Sequence, residues 1–215
     1  VVVNHCEAVD LIKSGDRVTG VKVKDCLSQE TSELSAELVI NAAGPWADEV
    51  MKLGDGKKGA KKLIRSKGIH LVTRSLTRGI ALTVPVEDEH LFVLPWMGMS
   101  LLATTDTKFN DAPDDACVTE ADIKLLLDKT NAVLPEAHLT RDDVVHAYVG
   151  LRPLVTDIND TAETTYGLSR GSEIYDHSEH GGPEGLLSAL GGKWTTSRRL
   201  GEKIVDTAFA KLGQP

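Results

Sequence analysis

Between residues 63 and 190 the chain repeats apolar runs of strand length, and only one stretch, 119–134, breaks that habit with a helical period. This lone long helix among strands constrains the fold more than any other feature. Strands that follow one another without a helix between each pair build a mostly antiparallel sheet, and the helix folds its apolar face onto it. The strand candidates are residues 63–107, punctuated by Pro85 and the segment 95–99, then 144–149, 165–169 and 186–190. The helix carries its own punctuation. Thr119 is placed to cap it, Asp122 answers three residues on, and Pro135 stops it. Ile123, Leu126, Leu127, Thr130 and Leu134 fall on one face.

The two ends of the chain read differently. Residues 1–41 are β-like from Val1 onward, with a turn at Ser14-Gly15-Asp16 and strand-forming Val18, Val21 and Val23. The short apolar run Leu38-Val39-Ile40 ends at Asn41-Ala42-Ala43-Gly44-Pro45-Trp46, whose small residues let another group come close to the backbone. Pro45 suits the first turn of a helix, Ala47, Val50 and Met51 give that helix an apolar side, and Gly54 closes it. Residues 55–62 read as a solvated loop. At the far end, Gly191-Gly192-Lys193-Trp194-Thr195-Thr196 leads into a helix over 197–212, striped by Leu200, Ile204, Val205 and Ala208.

A hydrophobic fraction of 41% and a charged fraction of 26% give the 215 residues a true core. A net charge of −8 argues against a nucleic-acid partner, and 4% aromatics leave little surface for stacking bases. A small anion would need a local cationic pocket inside this acidic chain. Cys6, Cys26 and Cys117 form no CxxC pair, so neither a metal site nor a disulfide framework is expected, and a reducing cytoplasm is the natural setting. No apolar run reaches the length of a membrane span. The abrupt start at Val1-Val2-Val3 reads as a piece of a longer protein.

Each chemically interesting residue has two readings. The glycine pair at 191–192 followed by Thr195 and Thr196 is either a capped helix after a tight turn or an exposed helix start whose amides favour negative charge. Arg152, before Pro153, is a surface ion pair or a bidentate clamp on phosphate or carboxylate, and Arg170 has the same alternatives. His70 is a satisfied core histidine or a proton acceptor. Asp106 reads as a strand-end turn or cap.

The order of the motifs says more than any one of them. Asn-Ala-Ala-Gly-Pro-Trp at 41–46, Lys-Gly-Ile-His-Leu-Val at 67–72, Leu-Pro-Trp at 94–96 and Thr-Thr-Asp at 104–106 come first. Gly-Leu-Arg-Pro-Leu at 150–154, Leu-Ser-Arg at 168–170 and Gly-Gly-Lys-Trp-Thr-Thr at 191–196 follow. This series resembles the FAD-dependent glycerol-3-phosphate dehydrogenases, within the D-amino-acid-oxidase-like flavoproteins, over nearly the whole chain. Ala103, where the family commonly has glycine, and Thr73-Arg74, in place of Pro-Arg, depart from the pattern.

The resemblance implies an α/β (α+β) architecture in two parts. Residues 1–54 and 186–215 would form the rear half of an FAD-binding domain, and 55–185 a substrate domain on a large, mostly antiparallel sheet. Ala43 and Gly44 would pass close to FAD, and Gly191, Gly192, Lys193, Trp194, Thr195 and Thr196 would bring amides to the flavin ring. His70, Arg152, Arg170 and Lys193 would line the pocket for glycerol 3-phosphate, with His70 as base, Arg152 and Lys193 balancing charge and Arg170 clamping phosphate. Quinone would accept the electrons, with a peripheral membrane contact and a homodimer in the full protein. The alternatives are an oxidase that uses oxygen, and a flavin-free, non-catalytic piece, because the glycine loop that holds the FAD pyrophosphate has no counterpart in the sequence.

Overall fold

The computed structural model describes residues 1–55, 61–86, 89–157 and 171–214. These divide into two compact units. One holds 1–55, 61–64, 153–157 and 171–214; the other holds 65–86 and 89–152. The sequence placed the divisions at 54/55 and 185/186. In the structure the chain passes from the first unit to the second at Ile64–Arg65, inside one long strand, and leaves it at Arg152–Pro153, inside another.

The first unit opens with a hairpin, β1 (Cys6–Ser14) and β2 (Arg17–Asp25), extended by β3 (Thr31–Ser35) into a three-stranded antiparallel sheet. The apolar run at Val1 does not join β1. Val1, Val2 and Val3 have no strand to pair with and stand exposed. Next come β4 (Val39–Asn41), a 3-10 turn at Gly44–Trp46 and α1 (Ala47–Asp55). Lys13 donates to the carbonyls of Leu53 and Gly54 at 2.6 and 2.8 Å, placing a cation on the negative end of α1.

The second unit is built on a six-stranded sheet. Its strands are β5 (Lys61–Thr73), β6 (Leu82–Val86), β7 (Glu89–Trp96), β8 (Met99–Ala103), β9 (Thr107–Phe109) and β10 (Val144–Asp157). The order is β10-β5-β8-β7-β6, with β9 also on β5, and the registers of β5–β8, β5–β9, β6–β7 and β7–β8 are antiparallel, as the strand spacing implied. β10 is longer than the expected 144–149, because the chain stays extended through Arg152 and Pro153. The positions 61–62, read as loop, begin β5.

The lone helix is α2 (Glu120–Val133), and its cap is the expected one. The Thr119 side chain accepts from the Asp122 amide, and the Asp122 carboxylate accepts from the Thr119 amide at 2.9 Å. Ile123, Leu126 and Leu127 pack on Ile69, Leu71, Leu91, Val93 and Leu102 of the sheet, forming the larger core. One ion pair joins helix to sheet. Lys67 of β5 donates to Asp122 at 2.7 Å, with the two side chains only 13% and 9% exposed. Burial raises the Asp122 pKa, but the hydrogen bonds from Lys67 and Thr119 outweigh it and hold the carboxyl below its ordinary value.

The chain then returns to the first unit with β11 (Ser172–Asp176), β12 (Leu186–Gly191) and α3 (Ser197–Lys211). Their sheet runs β11-β12-β4, antiparallel between β11 and β12 and parallel between β12 and β4. Ile204 and Ala208 of α3 are buried with Leu187, whereas Val205, expected in the same stripe, is 46% exposed. A strand expected at 165–169 lies outside the described residues. No described helix is long and apolar enough to cross a membrane.

Asp122→Ala removes a helix cap and strands a nearly buried lysine, so it is expected to cost about 3 kcal/mol of unfolding free energy in urea at pH 7. Because the folded Asp122 has a lowered pKa, its contribution is complete above the ordinary carboxylate range and is lost as pH falls through the folded value. The gap between wild type and variant should therefore narrow in acid; a gap that is constant with pH would show that the ion pair contributes nothing.

Candidate active site

Side chains alternate across a strand, so the residues of β5 that fall between Ile69 and Leu71 belong to the face of the sheet turned away from α2. On this face lie Ser66, Gly68 and His70, beside Tyr148, Gly150 and Arg152 of the neighbouring β10. Two of the sequence candidates, His70 and Arg152, are thus brought to adjacent strands of one unit.

Arg152 is seated rather than free. Its Nη1 donates to Ser66 Oγ and to the Thr105 carbonyl, each at 3.1 Å, and its Nη2 donates to Thr104 Oγ1 at 2.8 Å. Ser66 in turn donates to Asp106 Oδ1 at 2.5 Å. The guanidinium lies flat against Gly68, where a β-carbon would come within 2.5 to 2.8 Å of its atoms. Glycine at 68 is therefore the condition for this arginine pose. Asp106, read from sequence as a turn or cap, is the carboxylate behind the network.

His70 is half-buried, and its ring stacks on Tyr148 with centroids 4.8 Å apart and planes 7° apart. Its Nδ1 is buried and has no hydrogen-bond partner among the described residues. Burial, and then the positive charge of Arg152, lower the imidazole pKa below the ordinary histidine value. A second proton would place charge in a partly desolvated site beside Arg152, so the lowered pKa favours the neutral ring, which has a lone pair for a proton. At position 150 on the same face, no described residue stands within 4 Å of where a side chain would begin.

The other candidates lie in the first unit. β4 and β12 run parallel, pairing Val39 with Leu186 and Asn41 with Ser188. Each strand leads at its carboxyl end into a short loop and then a helix. One loop carries Ala43 and Gly44; the other carries Gly191, Gly192, Lys193 and the 3-10 turn Trp194–Thr196 that includes Thr195. The ends of adjacent parallel strands are where open α/β sheets bind ligands, because helix starts and loop amides gather there. Gly191 and Gly192 turn the chain at φ +65° and +93°, angles that side-chain-bearing residues rarely adopt.

A buried polar chain joins the carboxyl ends of the two strands. Asn41 Nδ2 donates to the Ala47 carbonyl at 2.9 Å and to Ser188 Oγ at 3.0 Å, and Asn41 Oδ1 accepts from the Ala43 amide at 3.1 Å. Ser188 Oγ lies 2.9 Å from Nε2 of the fully buried His177. Beside the second loop is an open cleft of about 470 Å³ whose described lining includes Lys193, Arg199 and Lys203.

Trp194 is 90% exposed and Lys193 is exposed too. Arg170 lies outside the described residues. Sequence reasoning singled out neither Ser66 nor Tyr148. Ser66 carries no distinctive signal, but Tyr148 shares the alternate-residue pattern 148, 150, 152 with Arg152, and that pattern could have found it.

The chain is similar to known flavoproteins. A family described as FAD dependent oxidoreductase matches residues 1–198. Glycerol-3-phosphate dehydrogenase of Synechocystis sp. is 35% identical over 220 residues, covering 95% of this chain and 39% of the relative. The aerobic glycerol-3-phosphate dehydrogenase of Staphylococcus haemolyticus is 33% identical over 219 residues, covering 99% and 38%. The X-ray structure of the Bacillus halodurans glycerol-3-phosphate dehydrogenase complexed with FAD aligns at a TM-score of 0.81 and 30% identity, over 99% of this chain and 40% of that one. Glycine oxidase from Bacillus cereus, at 17% identity and a TM-score of 0.62 over 98% of this chain and 51% of that one, shares the fold. The chain spans about two fifths of the length of the curated relatives it matches. A match that runs through both loops at the carboxyl ends of β4 and β12, and through the sheet that seats His70 and Arg152, places the chain in the FAD dependent oxidoreductase family.

Proposed function

We propose that the protein to which this chain belongs oxidises sn-glycerol 3-phosphate to dihydroxyacetone phosphate, with FAD as cofactor and quinone as electron acceptor. The observation that carries the reading is the pair on one sheet face: a neutral, half-buried imidazole and a guanidinium held by three hydrogen bonds. The names of relatives at 31–35% identity support the substrate.

The residues present fit FAD. No described residue stands within 4 Å of where a side chain would begin at Gly44, so a group can approach that backbone. The Gly191–Gly192 turn delivers the start of α3, with Lys193 exposed beside it, and amides and cation both suit the negative charge of a reduced flavin. We assign Ala43, Gly44 and the positions 191–196 to the cofactor. When bound, FAD supplies the acceptor for the two electrons and the hydrogen that leave the substrate carbon.

The chain's own groups do the rest. His70 takes the hydroxyl proton, which its neutral form allows. Arg152 opposes the negative charge that grows on the same oxygen, and being already seated it needs no reorganisation to do so. Lys193 contributes positive charge at the flavin-side turn. Arg170 clamps the phosphate, as a planar fork matches its oxygens. Reaction with a lipid-soluble quinone calls for a peripheral contact with the membrane surface.

Three substitutions in the flavin-loaded protein test these roles. His70→Ala should lower kcat by about a hundredfold or more. In the wild type the acid limb of kcat/KM should lie below the ordinary histidine value, since protonation of a ring with a lowered pKa sets in only at lower pH. Full activity in the variant, or an acid limb above that value, would remove His70 as base. Arg170→Ala should raise KM for glycerol 3-phosphate by about tenfold to a hundredfold and weaken the preference over plain glycerol, with kcat little changed. A lowered kcat with an intact preference would contradict the clamp. Gly68→Ala should push the guanidinium off its seat and lower kcat/KM by about tenfold to a hundredfold, with the far-UV spectrum unchanged. Oxygen uptake without added quinone would replace quinone with oxygen as acceptor.

A further inference from the structure

The proposed base has a neighbour whose contact with it is purely geometric. Tyr148 lies two strand positions before Gly150 and four before Arg152, all on the face of β10 that meets His70. The tyrosine and imidazole rings are nearly parallel, 7° apart, and stacked at a centroid distance of 4.8 Å. Among the described residues no hydrogen bond holds Nδ1 of His70, the buried nitrogen of the ring. Torsion about a histidine χ2 is broad, so a ring without a bond at that atom needs some other contact to fix its plane. The aromatic face is that contact. Beyond it on the strand, position 150 has no side chain, and no described residue stands within 4 Å of where one would begin.

We propose that Tyr148 is the positioning residue of His70, and that it fixes the plane of the imidazole through its aromatic face and not through its hydroxyl. The inference rests on the reading of His70 as base. Tyr148 touches His70, not the reacting atoms, so it acts through that ring. Its stack also covers one face of the imidazole from water, which belongs to the burial that lowers the His70 pKa. The other charged or titratable groups on this face include Arg152, which acts in the same direction, Asp106, which accepts from Ser66, Lys108, the strand partner of Ser66, His90, two positions from the Phe92 that pairs with Ala103, and His146, whose ring lies 6.1 Å from Tyr148. The β8 segment paired with His70 (Met99–Ala103) carries no titratable side chain.

The test is a proton and nitrogen NMR titration of His70 in this chain, run on the wild type and on Tyr148→Phe, Tyr148→Leu and Tyr148→Thr. Phenylalanine keeps the stack and loses the hydroxyl; leucine and threonine lose the stack, and threonine is a good strand former should leucine disturb folding. The expected result is an unchanged titration in Tyr148→Phe. In the other two the midpoint should rise towards the ordinary histidine value, and the ring-current shift on the imidazole protons should be lost. In the flavin-loaded protein, Tyr148→Leu and Tyr148→Thr should lower kcat by about tenfold with KM little changed, and Tyr148→Phe should restore it. An unchanged His70 titration in both Tyr148→Leu and Tyr148→Thr would overturn the proposal. So would a loss in Tyr148→Phe equal to theirs, because the hydroxyl would then be the active part. Failure of the base itself shows separately, as a fully active His70→Ala beside an intact Tyr148 effect on the titration.

Discussion

Along β5 the chain hands alternate side chains to opposite sides of a sheet. Ile69 and Leu71 go to the helix side and make the larger core; Ser66, Gly68 and His70 go to the other. A slip of one residue would bury the histidine under α2 and expose the core to water. The register is guarded from the helix side as well, since Lys67 can reach Asp122 only when Ile69 and Leu71 also face α2. The chemistry of the second unit is therefore positioned by its hydrophobic packing.

The first unit solves a different problem. Its two proposed cofactor loops are far apart in sequence but leave neighbouring parallel strands, and only three residue pairs join those strands. So short a ladder would hold the loops loosely. The buried His177–Ser188–Asn41 chain adds side-chain bonds where backbone bonds run out, and it ends on the amide of Ala43. Buried polar groups of this kind cost free energy unless all are paired, so the network resists partial opening.

The strand–helix plan of the second unit was legible because its signals are local. A capping box and a proline bracket α2, and an apolar stripe marks its buried face. The short strands were less legible. Thr31–Ser35 is exposed along its whole length and owes its conformation to β2, a neighbour that sequence periodicity does not register. Val1–Val3 had the composition of a strand without a partner. At the site, His70 and Arg152 could be named from motifs, but their state could not. That Arg152 is seated on Gly68, that Asp106 stands behind Ser66, and that Tyr148 stacks on His70 all depend on contacts between strands far apart in the chain.

The flat contact between Gly68 and Arg152 also bears on how such a protein can change. Any residue larger than glycine at 68 moves the guanidinium, and an arginine moved from its seat leaves Ser66 and Thr104 without their donor. A side chain at 68 is thus coupled to the pose of Arg152, whereas one at 150 meets no described residue within 4 Å of its first carbon.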